Sequence, residues 1–380
     1  MPGSPIDLGP LHRWYRKHHR DLPFRKTRAV YPIWVSEVML QRTRVAAKLP
    51  KYLAFTARFP DLAALAAADE ADVLAAWQGL GYYSRARNLR KGAQYVTREC
   101  GGEFPKDLAA ALKVPGVGPY TAAAILSIAL DQPTAVLDGN VKRVLNRLFG
   151  LTQTAHRFTK SAVSDAEYKN RADQLMQLRG RTSPGDHNQA MMELGAMICV
   201  PGRPDCASCP LNSQCTTYAI DPTGALAATI PPKRKVADSV DLELETFLMY
   251  NKNGTKILIA REESSRFFRS LWFFPYRFSG AVYFDPAATP GLSGALDGDW
   301  FGEMETFAKQ FRHSITHHRI TGRVSRLRAR ASEQEILKAV QALQRNRTDA
   351  AWRWLPIEQL HEVVVSSVAR KIEKIVTNAD

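Results

Sequence analysis

Two carboxylates and four thiols are the side chains of this chain whose type and surroundings could do chemistry. Glu37 lies in PIWVSEVML, a helical pattern opened by Pro32 and apolar on nearly every side. A carboxylate set among Ile33, Trp34, Val38 and Leu40 loses hydration, so its acid form is favoured and its pKa should rise. A group that donates a proton at neutral pH needs that environment. Taken alone, Glu37 also fits the polar stripe of a core helix. Asp138 stands just before the helical pattern GNVKRVLNRL, where a helix cap is the plainer reading and an ionised carboxylate the chemical one.

The thiols are crowded. Cys199, Cys206, Cys209 and Cys215 are separated by six, two and five residues. Four such ligands without histidine suit tetrahedral zinc or a four-iron four-sulfur cluster, and softness alone does not choose between them. Zinc ribbons usually bring two Cys-x-x-Cys pairs, and only Cys206 and Cys209 form one here. Cys100 stands apart as an inert thiol.

Upstream, LKVPGVGPYT places Gly116 and Gly118 around Val117 in a turn that runs into the apolar stretch Thr121 to Leu130. Such a turn, followed by a helix with its positive end toward the same place, can grip a phosphate without reading sequence. In the next helical pattern Val141, Val144, Leu145 and Leu148 form the apolar stripe, and Lys142, Arg143 and Arg147 are expected on the opposite, solvent face.

The net charge of +15 and pI of about 9.7 point to a polyanionic partner. Residues 1–230 hold 29 Lys+Arg against 19 Asp+Glu, and residues 231–380 hold 23 against 18, so the excess favours the part with the glycine turn. No apolar run is long enough to span a bilayer, the N-terminus lacks the apolar centre of a secretory signal, and reduced metal-binding cysteines suit a cytoplasmic protein. Helical patterns dominate up to the cysteines, TGALAATIPPKRKVADS reads as a linker, and the period then changes. Residues 242–250 and 256–261 read as strands around Asn253-Gly254, a tight-hairpin dipeptide, Ser332-x-x-Glu335 opens a helix and Pro356 precedes another.

The strings RDLPFR (20–25), WVSEVMLQRTRV (34–45), GLGYYSRARNL (79–89), VPGVGPYTAAAI (114–125), LDGNVKRV (137–144) and NQAMMELGAMIC (188–199) together resemble the helix-hairpin-helix DNA glycosylases, and within them the MutY-type adenine DNA glycosylases. The resemblance runs over nearly the whole length. It implies a mostly α catalytic region followed by an α+β Nudix-like domain. The expected boundaries are a six-helix barrel with the helix-hairpin-helix at 24–130, an iron-sulfur cluster domain at 1–23 and 131–224, a linker at 225–238, and an 8-oxoguanine recognition domain at 239–380. No intact Nudix box is present, so pyrophosphohydrolase activity is not expected.

By the same resemblance the four cysteines hold one 4Fe-4S cluster, and the partner is double-stranded DNA with adenine opposite 8-oxoguanine or guanine, bound by a monomer. Glu37 would protonate the leaving adenine and Asp138 would stabilise or trap the sugar cation, assisted by Tyr120 and Asn140. Arg20, Leu22, Phe24, Arg25, Val45 and Gln189 would line the adenine pocket, with Phe24 replacing a tryptophan. Gln41, Arg42, Thr43, Leu80, Tyr82, Gly116, Val117, Gly118 and Arg203 would contact DNA, Tyr82 as a wedge filling the gap left by the flipped base. Tyr120 stands where bifunctional relatives carry a lysine nucleophile, which implies a monofunctional enzyme that leaves an abasic site.

Two departures bear on the opposite base. Arg42 replaces a glutamine, and Ile315-Thr316-His317 replaces a Phe-Ser-His loop that checks for 8-oxoguanine. The alternatives are a thymine or uracil mismatch glycosylase, since such relatives can also carry tyrosine in the hairpin, and a non-catalytic iron-sulfur DNA-binding protein.

Overall fold

The computed structural model describes residues 6–41, 45–152, 163–232, 238–263, 265, 267–279, 300–343 and 350–376. The chain divides into two compact units, residues 1–73 with 82–235, and residues 74–81 with 236–380. Barrel and cysteine-bearing segments therefore belong to one unit.

The first unit is helical: α1 (Gly9–His18), α2 (Val30–Met39), α3 (Val45–Arg58), α4 (Leu62–Ala67), α5 (Glu70–Ala76, whose last turn is counted with the second unit), α6 (Tyr83–Glu99), α7 (Leu108–Ala111), α8 (Pro119–Ile128), α9 (Gly139–Phe149), α10 (Asp165–Gln177), α11 (Pro184–Met197), α12 (Thr216–Ile220) and α13 (Ala225–Thr229). Caps set several of the starts: Asp61, Asp107, Asp138, Ser164 and Ser183 each accept a backbone N–H three residues on, a contribution of about 1 kcal/mol apiece. Helices α2 and α8 are apolar nearly all round because both lie inside, with Ile33, Ala123, Ala124, Ile128 and Val136 packed together. A second core joins α1, α9, α10 and α11 through Leu11, Val144, Leu145, Leu175, Ala190 and Leu194, and Cys199, Cys209 and Cys215 pack against its edge.

Glycine sets the spacing where helices meet. A Cβ on Gly195 would stand 2.8 Å from that of Asn140, so only glycine lets α11 lie this close to the start of α9. Gly116 has φ of +78°, and a side chain there would meet Asn88 Cβ at 2.6 Å.

Two expectations change here. Residues 225–230 are not free linker: α13 forms, Ala227 and Ile230 are buried, and the Ile230 carbonyl accepts from Arg147 Nε at 2.8 Å. Residues 233–237 lie outside the described residues. Arg143 and Arg147 do not face solvent either. Both are buried, because the carbonyls of Gly195, Cys199, Val200 and Ile230 accept their N–H groups and offset the loss of water.

The second unit is an eight-stranded mixed sheet of β1 (Val240–Tyr250), β2 (Lys256–Glu262), β3 (Trp272–Phe273), β4 (Tyr276–Ser279), β5 (Glu305–Thr306), β6 (Phe311–Ile315), β7 (His318–Arg328) and β8 (Ala350–Pro356). The path runs β3-β2-β1-β7-β5, with β4 on β1, β6 on β7 and β8 on β2. The β1–β7 pair is parallel from Val240 opposite His318 to Tyr250 opposite Arg328. Helix α14 (Glu333–Leu343) covers one face through Ile336 and Val340, α15 (Leu360–Val363) is a single turn, and α16 (Ser367–Val376) covers the other face through Val368, Ala369, Ile372 and Ile375. The capping box at Ser332 and Glu335 forms. The Asn253-Gly254 turn is wider than a two-residue hairpin: Asn251 pairs with Lys256, and its side-chain oxygen accepts from the N–H of Thr255 and of Lys256.

Candidate active site

Glu37 sits near the end of α2, partly buried by its apolar neighbours. Burial raises its pKa, with the nearby charge of Asp138 acting in the same direction, while the hydroxyl of Tyr120 and the charge of Arg25 pull it back. That hydroxyl, at the start of α8, donates to Glu37 Oε2 at 2.5 Å and lies 3.6 Å from Met192 Sδ of α11. Burial and the Glu37 carboxylate raise the Tyr120 pKa, which keeps it a donor.

Asp138 is the N-cap of α9. Its Oδ1 accepts from the N–H of Val141 at 2.7 Å and its Oδ2 from Asn140 Nδ2 at 3.1 Å. These bonds and the charge of Arg143 favour the carboxylate, yet burial outweighs them and its pKa also moves up. The two carboxylates are therefore not set apart by the direction of their pKa shifts. Asp138 differs from Glu37 in having N–H donors on both oxygens. Arg143 continues the chain of contacts, with Nη2 donating to Asn140 Oδ1 at 2.9 Å and Nε to the Cys199 carbonyl at 2.8 Å.

Arg20 and Arg25 meet a residue that the sequence reading passes over. Both guanidiniums clamp Glu193 of α11: Arg20 through Nε at 2.8 Å and Nη2 at 2.6 Å, Arg25 through Nη1 at 3.0 Å and Nη2 at 2.7 Å. Burial would raise the Glu193 carboxyl, but the two arginines overcome it and leave the pKa at about 2. As the only charge in MMELGAM, Glu193 carries the same signal as Glu37, a carboxylate amid apolar residues. Asn188 is also missed: its Nδ2 donates to Ser127 Oγ and the Thr134 carbonyl, and its Oδ1 accepts from the Val136 N–H, pinning the irregular segment that leads to Asp138.

Of the other residues expected to line the adenine pocket, Leu22 and Gln189 are buried, Phe24 packs edge-on against Tyr52 and Val45 opens α3. Among the residues expected at DNA, Tyr82 is 56% exposed with φ of +48°, and the Arg85 guanidinium lies over its ring. Arg203 is exposed. Gln41 donates to Thr121 Oγ1 at 3.3 Å, and Leu80 is buried, so its side chain does not stand free. Arg42 and Thr43 lie outside the described residues. In the glycine turn the Val117 N–H closes onto the Val114 carbonyl, whereas no acceptor among the described residues takes the N–H of Gly116 or Gly118. Phosphate gripping would thus fall to the glycine amides and the start of α8.

The four thiols are reduced and part-buried. Each of Cys206, Cys209 and Cys215 feels the charge of Cys199, and Cys199 Sγ accepts from Arg147 Nη1 at 3.3 Å. Burial pushes Cys206 and Cys215 up and Cys209 to about 12, so the peptide alone does not hold them as thiolates and a metal centre would have to. Among the described residues no three Cys, His, Asp or Glu side chains are placed to hold one ion. Cys199, Cys209 and Cys215 pack against one core edge, and by softness an all-thiol set suits either zinc or an iron-sulfur cluster.

In the second unit, Thr316 and His317 form the two-residue turn between β6 and β7, Ile315 pairing with His318. Thr316 is exposed with φ of +55°, His317 is half-buried and His318 is buried.

Residues 35–165 match the family model described as HhH-GPD superfamily base excision DNA repair protein. Adenine DNA glycosylase of Buchnera aphidicola from Schizaphis graminum is 32% identical over 264 residues, covering 69% of this chain and 72% of that one. The chain belongs to the adenine DNA glycosylase family. The mouse adenine DNA glycosylase is 44% identical over 224 residues, 57% of this chain and 42% of its own, so the chain spans less than half the length of that family member. Among solved structures, a thermostable thymine-DNA glycosylase has a TM-score of 0.50 and 27% identity over 56% of this chain and 95% of that one. The match to the family model thus covers Glu37, Tyr120 and Asp138 and stops before Cys199.

Proposed function

We propose that this protein removes adenine from double-stranded DNA where it is mispaired with 8-oxoguanine or guanine, leaving an abasic site without cutting the strand. The observation that carries the reading is the pairing of a part-buried Glu37, its acid form favoured, with Asp138 near enough to be felt electrostatically. Glu37 protonates a ring nitrogen of adenine, so the base departs neutral, and its carboxylate then orients water. Asp138, with N–H donors on both oxygens, faces the cationic sugar. Tyr120 holds Glu37 by its hydroxyl and offers no amine to the sugar, which supports the monofunctional reading. Tyr82 fills the space left by the flipped base, and the amides of Gly116, Gly118 and α8 hold the backbone. Thr316 and His317, at the tip of a Nudix-like domain, meet the damaged base. Cys199, Cys206, Cys209 and Cys215 hold a 4Fe-4S cluster, which supplies structural bracing of the loop that carries Arg203. The protein acts as a cytoplasmic monomer.

A second reading, a thymine or uracil mismatch glycosylase, is favoured by the likeness of the helical unit to a thymine-DNA glycosylase. Single-turnover excision on duplexes containing A:8-oxoguanine, A:G, T:G and U:G, with and without alkali, decides. The proposal expects adenine release that becomes a strand break only after alkali; release of thymine in preference, or alkali-independent nicking, overturns it.

A further inference from the structure

Arg261 of β2 and Arg353 of β8 both lie against the indole of Trp272 on β3, at 5.5 Å and 4.3 Å from its ring centre. The sheet dictates the arrangement. Arg261 pairs directly with Trp272, whereas Arg353 is opposite Ile259 and reaches across β2 onto the same ring. Trp272 is itself part-buried against the core, so it forms a fixed platform that orients the guanidinium planes. Arg353 is exposed and Arg261 partly so.

Four other arginines of the unit are matched with carboxylates: Arg277 with Glu245, Arg319 with Asp241, Arg326 with Glu305 and Arg370 with Glu373. Among the described residues no carboxylate reaches Arg261 or Arg353. Glu262, the next residue on β2, is buried near the Tyr276 hydroxyl, and Glu263 is held by Ser270. Two like charges share one ring, and burial together with the charge of Arg261 lowers the Arg353 pKa. An anion between them would relieve that repulsion.

We infer that the Arg261–Trp272–Arg353 cluster is a phosphate-binding surface that engages the backbone of duplex DNA, separate from the Thr316–His317 turn. The cluster and the turn occupy different parts of the sheet, β2, β3 and β8 against the β6–β7 tip. A guanidinium that lies over an indole keeps N–H groups for bidentate contact with phosphate oxygens. Backbone contact of this kind adds affinity without reading sequence. The inference rests on the proposal that DNA is the partner.

The test is binding of the full chain to an undamaged, fully paired duplex across a salt series. Each phosphate contact contributes about 0.9 to the slope of log affinity against log salt, so the variant R261A/R353A should show a slope shallower by about 1–2. R353K, which keeps the charge and loses the plane, should weaken binding at low salt while leaving the slope near wild type. Unchanged circular dichroism guards against misfolding, and single-turnover adenine release at saturating protein should be unaltered. If the wild type does not retain the duplex, the DNA reading fails and this surface with it. If the wild type binds and the double variant keeps the same slope, only this surface is overturned. Loss of binding to poly-glutamate with duplex binding intact also overturns it, in favour of an acidic protein partner.

Discussion

The hydroxyl of Tyr120 donates to Oε2 of Glu37 across 2.5 Å and so ties the glycine turn to the helix that carries the buried acid. The bond favours the carboxylate while burial favours the acid. Excision that needs protonated Glu37 is present below its pKa and lost as pH rises through it. Tyr120→Phe removes the donor, raises that pKa further and should shift the alkaline limb of the rate profile to higher pH. Glu37→Gln should lower excision by roughly 10²–10⁴-fold with duplex binding retained. An unmoved limb in the first variant, or near-normal rates in the second, removes the pair from the chemistry.

Glu193 should matter to folding as much as to the pocket. Glu193→Gln leaves Arg20 and Arg25 without their shared anion. The cost lies toward the low end of the roughly 3–5 kcal/mol for breaking a buried pair, because the Arg20 side chain is 39% exposed. Its depressed pKa gives stability that is present above about 4.5 and lost as pH falls toward about 2. Denaturant titrations at pH 7 and pH 4 check both statements, and equal stability of wild type and variant at pH 7 would sink the first.

A second acid response begins earlier. His12 Nε2 lies 3.2 Å from His187 Nδ1, and Thr182 Oγ1 is 2.9 Å from His12 Nδ1. Burial lowers both pKa values, that of His187 to about 3, so the native state holds the pair neutral. The unfolded chain binds protons first, and stability should decline as pH drops below about 6.5, by up to about 1.4 kcal/mol per pH unit for each histidine. His187→Leu should flatten the slope between pH 6.5 and 5. A slope unchanged in that variant excludes the pair as its source.

The cysteine set predicts about four irons per chain and a yellow-brown colour in protein prepared without oxygen. Stoichiometric zinc without iron contradicts the assignment. Cys206→Ser should lower iron content and thermal stability together, since the loop is anchored to α9 through Arg147 and its contacts to Cys199, Val200 and Ile230.

At the β6–β7 tip, Thr316→Ala with His317→Ala should lower excision opposite 8-oxoguanine far more than opposite guanine, because hydrogen-bonding sites discriminate more sharply than apolar ones. Equal loss on both substrates reduces the turn to general affinity.

Much of the helical unit is legible because its signals are local: the cap at Asp138, the proline at the start of α8, the stripe of Val141, Val144, Leu145 and Leu148. Glu37 is legible for the same reason, as a charge out of place in its own helix. Contacts across the chain are not. Nothing near Arg143 or Arg147 says that carbonyls some fifty residues away will accept their N–H groups, so an amphipathic pattern sends both to solvent. Glu193 escapes because its partners lie 173 and 168 residues earlier. In the second unit the strands show by period, but the parallel register of β1 on β7 depends on packing that no short window contains.

Tyr82 holds a left-handed backbone conformation that glycine would adopt without strain, and it does so while leaving more than half of its ring in water. Replacing it with glycine should therefore raise the melting temperature of the free protein while removing the aromatic proposed to meet the duplex. If Tyr82 is the wedge proposed above, resistance to heat and grip on a distorted double helix are opposed at this one residue, and a thermostable variant selected without DNA present would be expected to lose the ring first.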